Sequence, residues 1–275
     1  MNTDQDNALG EFALLRLIPP VLRARAFRLY TQGGQRLVDL WQNGGAAALG
    51  HTPPFLLREL KNTASRGLFA PLPHFLEQRF FRALSRLIPG RTFRLYAAAP
   101  AALETLVENG NAALWRPFIN AMEPLEIAPN APPVLIPVIP GIQGWNRTLP
   151  LGLCVLALDP AFEAVLPPDD LLSPVLLAAA TRGIYEIIAA APERVKDAYP
   201  RIGKALCQSS WQRRGIYLFP ARNTDPGTWP ALFCRFLDSG FLLPPGPAYP
   251  AILPGELSPG EETKLAALVK DSGQF

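Results

Sequence analysis

The chain has 275 residues, 49% of them hydrophobic and 18% charged, with a formal net charge of +3. That length suits one large domain or two modest ones, and the apolar content excludes a disordered chain. So small a positive charge excludes the electrostatic footprint of a nucleic-acid-binding protein.

Proline is frequent, with 31 residues spread along the chain, and reads as many stiff turns. The opening MNTDQDNALGEF is polar and acidic, unlike a signal peptide. No uninterrupted apolar run approaches the roughly 20 residues that a bilayer crossing needs, so no membrane partner is expected. Cys154, Cys207 and Cys234 are far apart and read as free thiols of a cytoplasmic protein. His51 and His74 form no metal-ligand spacing with each other or with cysteine, so no metal site is expected.

In chain order, residues 8–24 read as a helix broken by Pro19 and Pro20. Ala26 to Trp41 alternates apolar and polar residues around Gly33-Gly34, the pattern of a hairpin. A Gly-rich loop follows, and Pro53-Pro54 opens a helix that runs to about Ala64. Leu76, Phe80, Leu84 and Leu87 share one face of the next helix, which Pro89-Gly90 stops before the strand TFRLY. Pro100 is placed to begin another helix as its first residue.

The most apolar stretch is Pro132 to Asp159. Its runs VLIPVI and LGLCVLAL predict strands buried on both faces. Between them, PGIQGWNRTLP is too rich in Gly and Pro for a regular element. A loop leaving a buried strand of an α/β sheet is the usual place for a ligand. Yet this stretch has no lysine, no histidine, and no acid before Asp159. Beyond it, Asp169-Asp170 reads as a helix cap, Leu171 to Ile188 as a helix, RIGKALCQ as an amphipathic helix and GIYLFP as a strand. Trp229 to Leu237 is a helix ended by Ser239-Gly240, and Ser258-Pro259-Gly260-Glu261 is a capping box with proline in the first turn.

Several of these segments together resemble the class III aminotransferases, the pyridoxal-phosphate (PLP)-dependent group that contains glutamate-1-semialdehyde aminomutase. RLYTQGGQRLVDLWQNGGAAALGHTPPFLLRELK is similar to that family's opening hairpin, turn and helix, with Gly50, His51 and Pro53 on the turn. The helix, Pro-Gly stop and strand that lead into the family's phosphate loop match Phe69 to Tyr96. Leu149-Pro150-Leu151-Gly152 resembles the motif that follows the Schiff-base lysine, and Gly144 to Thr148 resembles a turn that precedes it. LLSPVLLAAATRGIYEII and RFLDSGFLLPPGPAYPAIL are similar to later segments of the same family.

The resemblance implies an α/β, truncated fold-type-I PLP-transferase. A small α+β domain would come from both chain ends, residues 1–67 (helix plus hairpin) and 191–275, around a reduced large domain at 68–190. It also implies which chemistry has gone. The family's phosphate loop carries Ser and Thr hydroxyls; here the matching positions, Ala98 to Glu104, have none, and Pro100 removes an amide. By the resemblance, either the lysine-bearing piece between the two motifs is deleted, or, aligned backward from Leu149-Pro150, the Schiff-base position falls on Gln143 and the pyridine-binding aspartate near Ile139; neither alignment recovers either residue. Independently of alignment, the five lysines are Lys61, Lys196, Lys204, Lys264 and Lys270, and none lies between Asn62 and Val195. A Schiff base needs a primary amine.

The expectation is therefore a non-catalytic relative that acts in binding or assembly, with no cofactor. Its degenerate pocket would be lined by Tyr96, Ala98, Trp145, Asn146 and Arg147. The family's dimeric architecture implies a homodimer, or a mock protomer on a full-length aminotransferase. The alternative is an active PLP-dependent aminotransferase or aminomutase with an unconventional or partner-supplied lysine. A serine hydrolase is disfavoured because no GxSxG occurs.

Overall fold

The computed structural model describes residues 13–119, 132–140, 153–162, 166–194, 199–221 and 225–272. After a short helical turn, Pro19 and Pro20 end the helix, and Val21–Arg25 forms strand β1. The helix predicted over 8–24 is thus corrected at its C-terminal end. The residues past the prolines pair antiparallel with β2 (Arg28–Thr31), and pairing outweighs local helix propensity. β3 (Arg36–Asp39) completes the predicted hairpin, with Gly34 at φ +77 in the turn.

Helix α1 (Pro54–Ala64) starts at the Pro-Pro signal, and α2 (Leu76–Leu87) buries Leu76, Phe80, Leu84 and Leu87 as its spacing requires. β4 (Thr92–Tyr96) is followed by α3 (Ala102–Glu108), β5 (Ala112–Trp115), β6 (Val134–Pro137) and β7 (Cys154–Leu158). Pro100 is not the first residue of α3. It lies ahead of the N-cap Ala101, where its carbonyl accepts the Leu103 N–H at 2.9 Å. Next come α4 (Pro174–Arg194), α5 (Pro200–Leu206), β8 (Gln212–Arg214) and β9 (Tyr217–Phe219). The chain closes with α6 (Trp229–Asp238), β10 (Phe241–Leu242), β11 (Ala251–Ile252) and α7 (Pro259–Asp271).

These elements divide into two compact units. Unit 1 takes residues 1–51, 118–121 and 193–275; unit 2 takes 52–117 and 122–192.

Unit 2 is built on a sheet of order β4-β7-β6-β5. β7 runs antiparallel to both β4 and β6, whereas β5 is parallel to β6. Every residue of β6 and β7 is buried, which explains why their sequences run apolar without alternation. One face, including Tyr96, Val134, Ile136, Cys154 and Leu156, packs on Leu103 of α3. α4 is long and apolar enough to cross a membrane by length and composition alone. Its residues Leu177, Ala178, Ala179, Ala180, Ile184 and Ile187 are nevertheless buried inside the protein. Gly183 permits that packing, since a Cβ there would lie 2.9 Å from the Pro140 carbonyl oxygen.

The outer edge of β4 is closed by an extended strap rather than a strand. Asp169 Oδ1 accepts the Leu95 N–H at 2.8 Å, and Asp170 Oδ2 accepts the Ala97 N–H at 2.9 Å. The Asp170 N–H returns to the Leu95 carbonyl at 2.9 Å, and the Tyr96 hydroxyl donates to the Pro167 carbonyl at 2.9 Å. The acidic pair is therefore not the predicted helix cap. α4 begins only at Pro174, and the two carboxylates satisfy backbone donors that an edge strand would leave open.

Unit 1 ties the two chain ends together. β10 joins β3 in parallel at the end of the sheet β1-β2-β3-β10, and a second sheet has the order β11-β9-β8. Buried Asp39 accepts the Trp41 and Gln42 N–H groups, both at 2.8 Å, and its other oxygen lies 2.9 Å from His51 Nε2. His51 is thus held in a structural contact. Gly50 precedes it at φ +90, where a Cβ would approach the Ala26 carbonyl oxygen to 3.1 Å.

The α7 capping box forms as predicted, and its Glu261 also receives Arg28 through two bonds of 2.8 and 3.1 Å. Burial alone would raise the Glu261 carboxyl, but the Arg28 and Ser258 hydrogen bonds outweigh it and hold the group at about 2. A folded-state value below the ordinary 4.5 means that the contribution is complete above that ordinary value and lost as pH falls towards 2. Glu261→Gln should destabilise the protein by about 1–2 kcal/mol at neutral pH. In urea titrations the gap from wild type should close as the solution is acidified; a gap independent of pH would show that the charge is not what acts.

Candidate functional site

Because β7 opposes both neighbours, strands β4, β5 and β6 all end on one edge of the unit 2 sheet. Tyr96 faces Cys154 across the ladder there, and Trp115 faces Pro137. The carboxyl ends of parallel strands are where an α/β sheet offers a crevice to a ligand. This edge is therefore the candidate site, and its described chain runs through Ala97 to Ala101, Arg116-Pro117 and Val138 to Pro140.

Two of the five predicted pocket residues are described here. Tyr96 is 2% exposed, and its hydroxyl is spent on the Pro167 carbonyl. Burial, then the nearby Asp169, pushes that phenol above its usual value. Ala98 is exposed and presents only a methyl group. Trp145, Asn146 and Arg147, like Gln143, lie outside the described residues. Cys154 opens β7 at this edge, but burial pushes its thiol up to about 12, so it stays neutral and is no nucleophile.

The loop that would cradle a cofactor phosphate is Ala97 to Ala101. It offers no hydroxyl, and Pro100 has no amide. The amides of Ala97, Leu103 and Glu104 already donate to Asp170, Pro100 and Ala101. Asp170 and the first-turn Glu104 add negative charge where a dianion would sit. Nor does the connection from β6 to β7 contain a lysine. Lys61, Lys204, Lys264 and Lys270 occupy exposed positions on α1, α5 and α7, and Lys196 lies outside the described residues. Among the described residues this edge supplies no hydroxyl from the loop after β4 and no lysine amine, so they do not fit covalently bound PLP.

Sequence reasoning missed the role of Asp169 and Asp170. The signal was present in the preceding Pro167-Pro168, which favours an extended strap over a helix start.

Comparison with known proteins agrees with this geometry at the level of the fold. No protein-family model matches the chain. A Treponema pallidum (strain Nichols) protein, described as uncharacterized, is 26% identical over 295 residues, spanning 88% of this chain and 91% of that one. A Borreliella burgdorferi protein, also described as uncharacterized, is 40% identical over 70 residues, 26% of each chain. Among solved structures, a transaminase with PLP bound superposes with a TM-score of 0.64 at 13% identity, covering 100% of this chain and 98% of that one. Plasmodium falciparum ornithine delta-aminotransferase gives 0.63 at 11% identity, with coverage of 100% and 99%. A glutamate-1-semialdehyde-aminomutase from Pseudomonas aeruginosa PAO1 gives 0.61 at 13% identity, with coverage of 92% and 86%. The fold is that of the PLP-dependent aminotransferases, as the sequence resemblance implied.

If the β6–β7 edge is packed as described, a Cys207→Ser, Cys234→Ser variant should resist a thiol reagent at mildly alkaline pH. It should then bind one equivalent after denaturation. Rapid labelling of the native variant would show Cys154 to be open and ionisable.

Proposed function

We propose that this chain is an aminotransferase-fold protein that does not hold PLP covalently and acts by binding or assembly. The observation that carries the reading is that the stretch between β6 and β7, residues 138–153, contains no lysine and so no primary amine. The loop after β4 supports it: alanine and proline stand where a phosphate would find side-chain hydroxyls, and the Asp170 carboxylate takes the Ala97 amide.

Assembly is the second part of the proposal. Phe69, Leu72, Phe75 and Leu171 of unit 2 are each more than half exposed, at 64%, 57%, 53% and 52%. Exposed apolar groups of this size favour self-association, and a homodimer is the simplest closed arrangement. A full-length aminotransferase is the other partner that the fold resemblance suggests. The free cysteines fit a reducing, cytoplasmic setting.

Protein purified from PLP-supplemented cells should be colourless after desalting. It should transfer no amino group from an amino-acid donor to a keto acid faster than free PLP does. A yellow preparation with enzyme-level transamination, alone or with a co-purified partner, would overturn the reading in favour of an active enzyme with a partner-supplied or unconventional lysine.

A further inference from the structure

Unit 1 contains a concave site of about 310 Å³ that has no part in the sheet edge described above. Among the described residues it is lined by Gln212, Arg214, Phe219, Pro220 and Pro247, with Ala221 and Ala248. Its construction follows from the β8–β9 ribbon. Gln212 pairs with Phe219 and Arg214 with Tyr217, so Gln212, Arg214 and Phe219 share one face. The intervening Arg213 turns away and donates from Nε to the Gly215 carbonyl at 2.9 Å. β8 is the outer strand of its sheet, which leaves this face open on one side.

Within this concavity the site sets a cation against an apolar wall. Arg214 lies over the Phe219 ring at 5.6 Å and has no ion pair among the described residues. By contrast, Arg28 is paired with Glu261 and Glu256, Arg182 with Glu186, and Arg235 with Asp271. The Gln212 carboxamide likewise has no hydrogen bond among the described residues. A guanidinium resting on an aromatic ring keeps its forked N–H donors free for a planar oxyanion. Gln212 adds a further donor on the same face, and Phe219, Pro220 and Pro247 supply flat apolar surface beside them. The volume is at the small end for ligand pockets. One arginine between apolar walls suits a monoanion better than a dianion, whose second charge would be desolvated without a partner.

We propose that this site binds a small planar carboxylate, with its oxygens on Arg214 and Gln212 and its ring or alkene body against Phe219 and the two prolines. The proposal is independent of whether PLP is bound at the sheet edge.

Benzoate, benzamide and inorganic phosphate, each titrated into the full-length protein and followed by calorimetry and ligand-observed NMR, test it. Benzoate should bind saturably at one site, while benzamide, lacking the charge, and phosphate, lacking the apolar body, should bind at least about tenfold more weakly. Arg214→Gln should weaken benzoate by at least about tenfold, and Arg214→Lys, which keeps the charge but not the fork, by an intermediate factor. Circular dichroism reports whether each variant folds. Should Arg214→Gln fail to fold, Ala248→Phe, which fills the cavity and leaves the arginine in place, should abolish binding instead. Absence of saturable benzoate binding, benzoate affinity unchanged by the substitutions, or equal affinity for phosphate would each overturn the assignment.

Discussion

Strand β7 runs against both of its neighbours, and every one of its residues is buried. That constraint organises unit 2. It places the end of β6 and the start of β7, beside Tyr96, on the edge where the parallel strands β4, β5 and β6 end, the edge at which an α/β sheet presents its ligands. The segments that leave or enter the sheet at this edge are the loop after β4, Arg116-Pro117 after β5, and the stretch between β6 and β7. The stretch between β6 and β7 has no lysine, and the loop after β4 has neither a hydroxyl nor free amides at Ala97, Leu103 and Glu104. The fold is aminotransferase-like, and neither of these two segments carries a lysine.

The carboxylates close to this edge act on the backbone. Asp169 and Asp170 complete the hydrogen bonds of β4 in place of a further strand, which blunts an edge that would otherwise invite pairing with another chain. A comparable economy holds in unit 1. Arg194 reaches from the end of α4 to the carbonyls of Ala48 and Leu253 at 3.2 and 3.1 Å, beneath the rings of Phe27 and Phe118. Among the described residues it has no carboxylate partner, and its buried Nε has no acceptor. Burial accordingly lowers its pKa. Two carbonyls and two aromatic faces stand in for a counter-ion, and they join the early and late segments of this unit.

Local signals were legible in the sequence wherever one element carried its own instruction. Pro53-Pro54 sets the start of α1, the Leu76–Phe80–Leu84–Leu87 spacing sets the buried face of α2, and the Ser258–Glu261 box sets the start of α7. The buried strands β6 and β7 could be read from their unbroken apolar runs. Interactions between distant segments could not. β1 is a strand because β2 pairs with it, and although Pro167-Pro168 favours an extended strap, nothing local names β4 as the partner of Asp169-Asp170. The parallel pairing of β10 with β3 joins residues some two hundred positions apart and leaves no trace in either two-residue neighbourhood. At the candidate site, the missing amine was legible because a count of lysines needs no alignment. The inward bond of Tyr96 was not, because its acceptor is the backbone of a strap 71 residues away.

The most direct test of the central claim is intact-mass and peptide mass spectrometry of the purified protein, reduced with borohydride straight from PLP-supplemented cells. The account predicts no lysine bearing a stoichiometric pyridoxyl group. A single lysine modified in nearly every molecule, whichever of the five it proved to be, would contradict it.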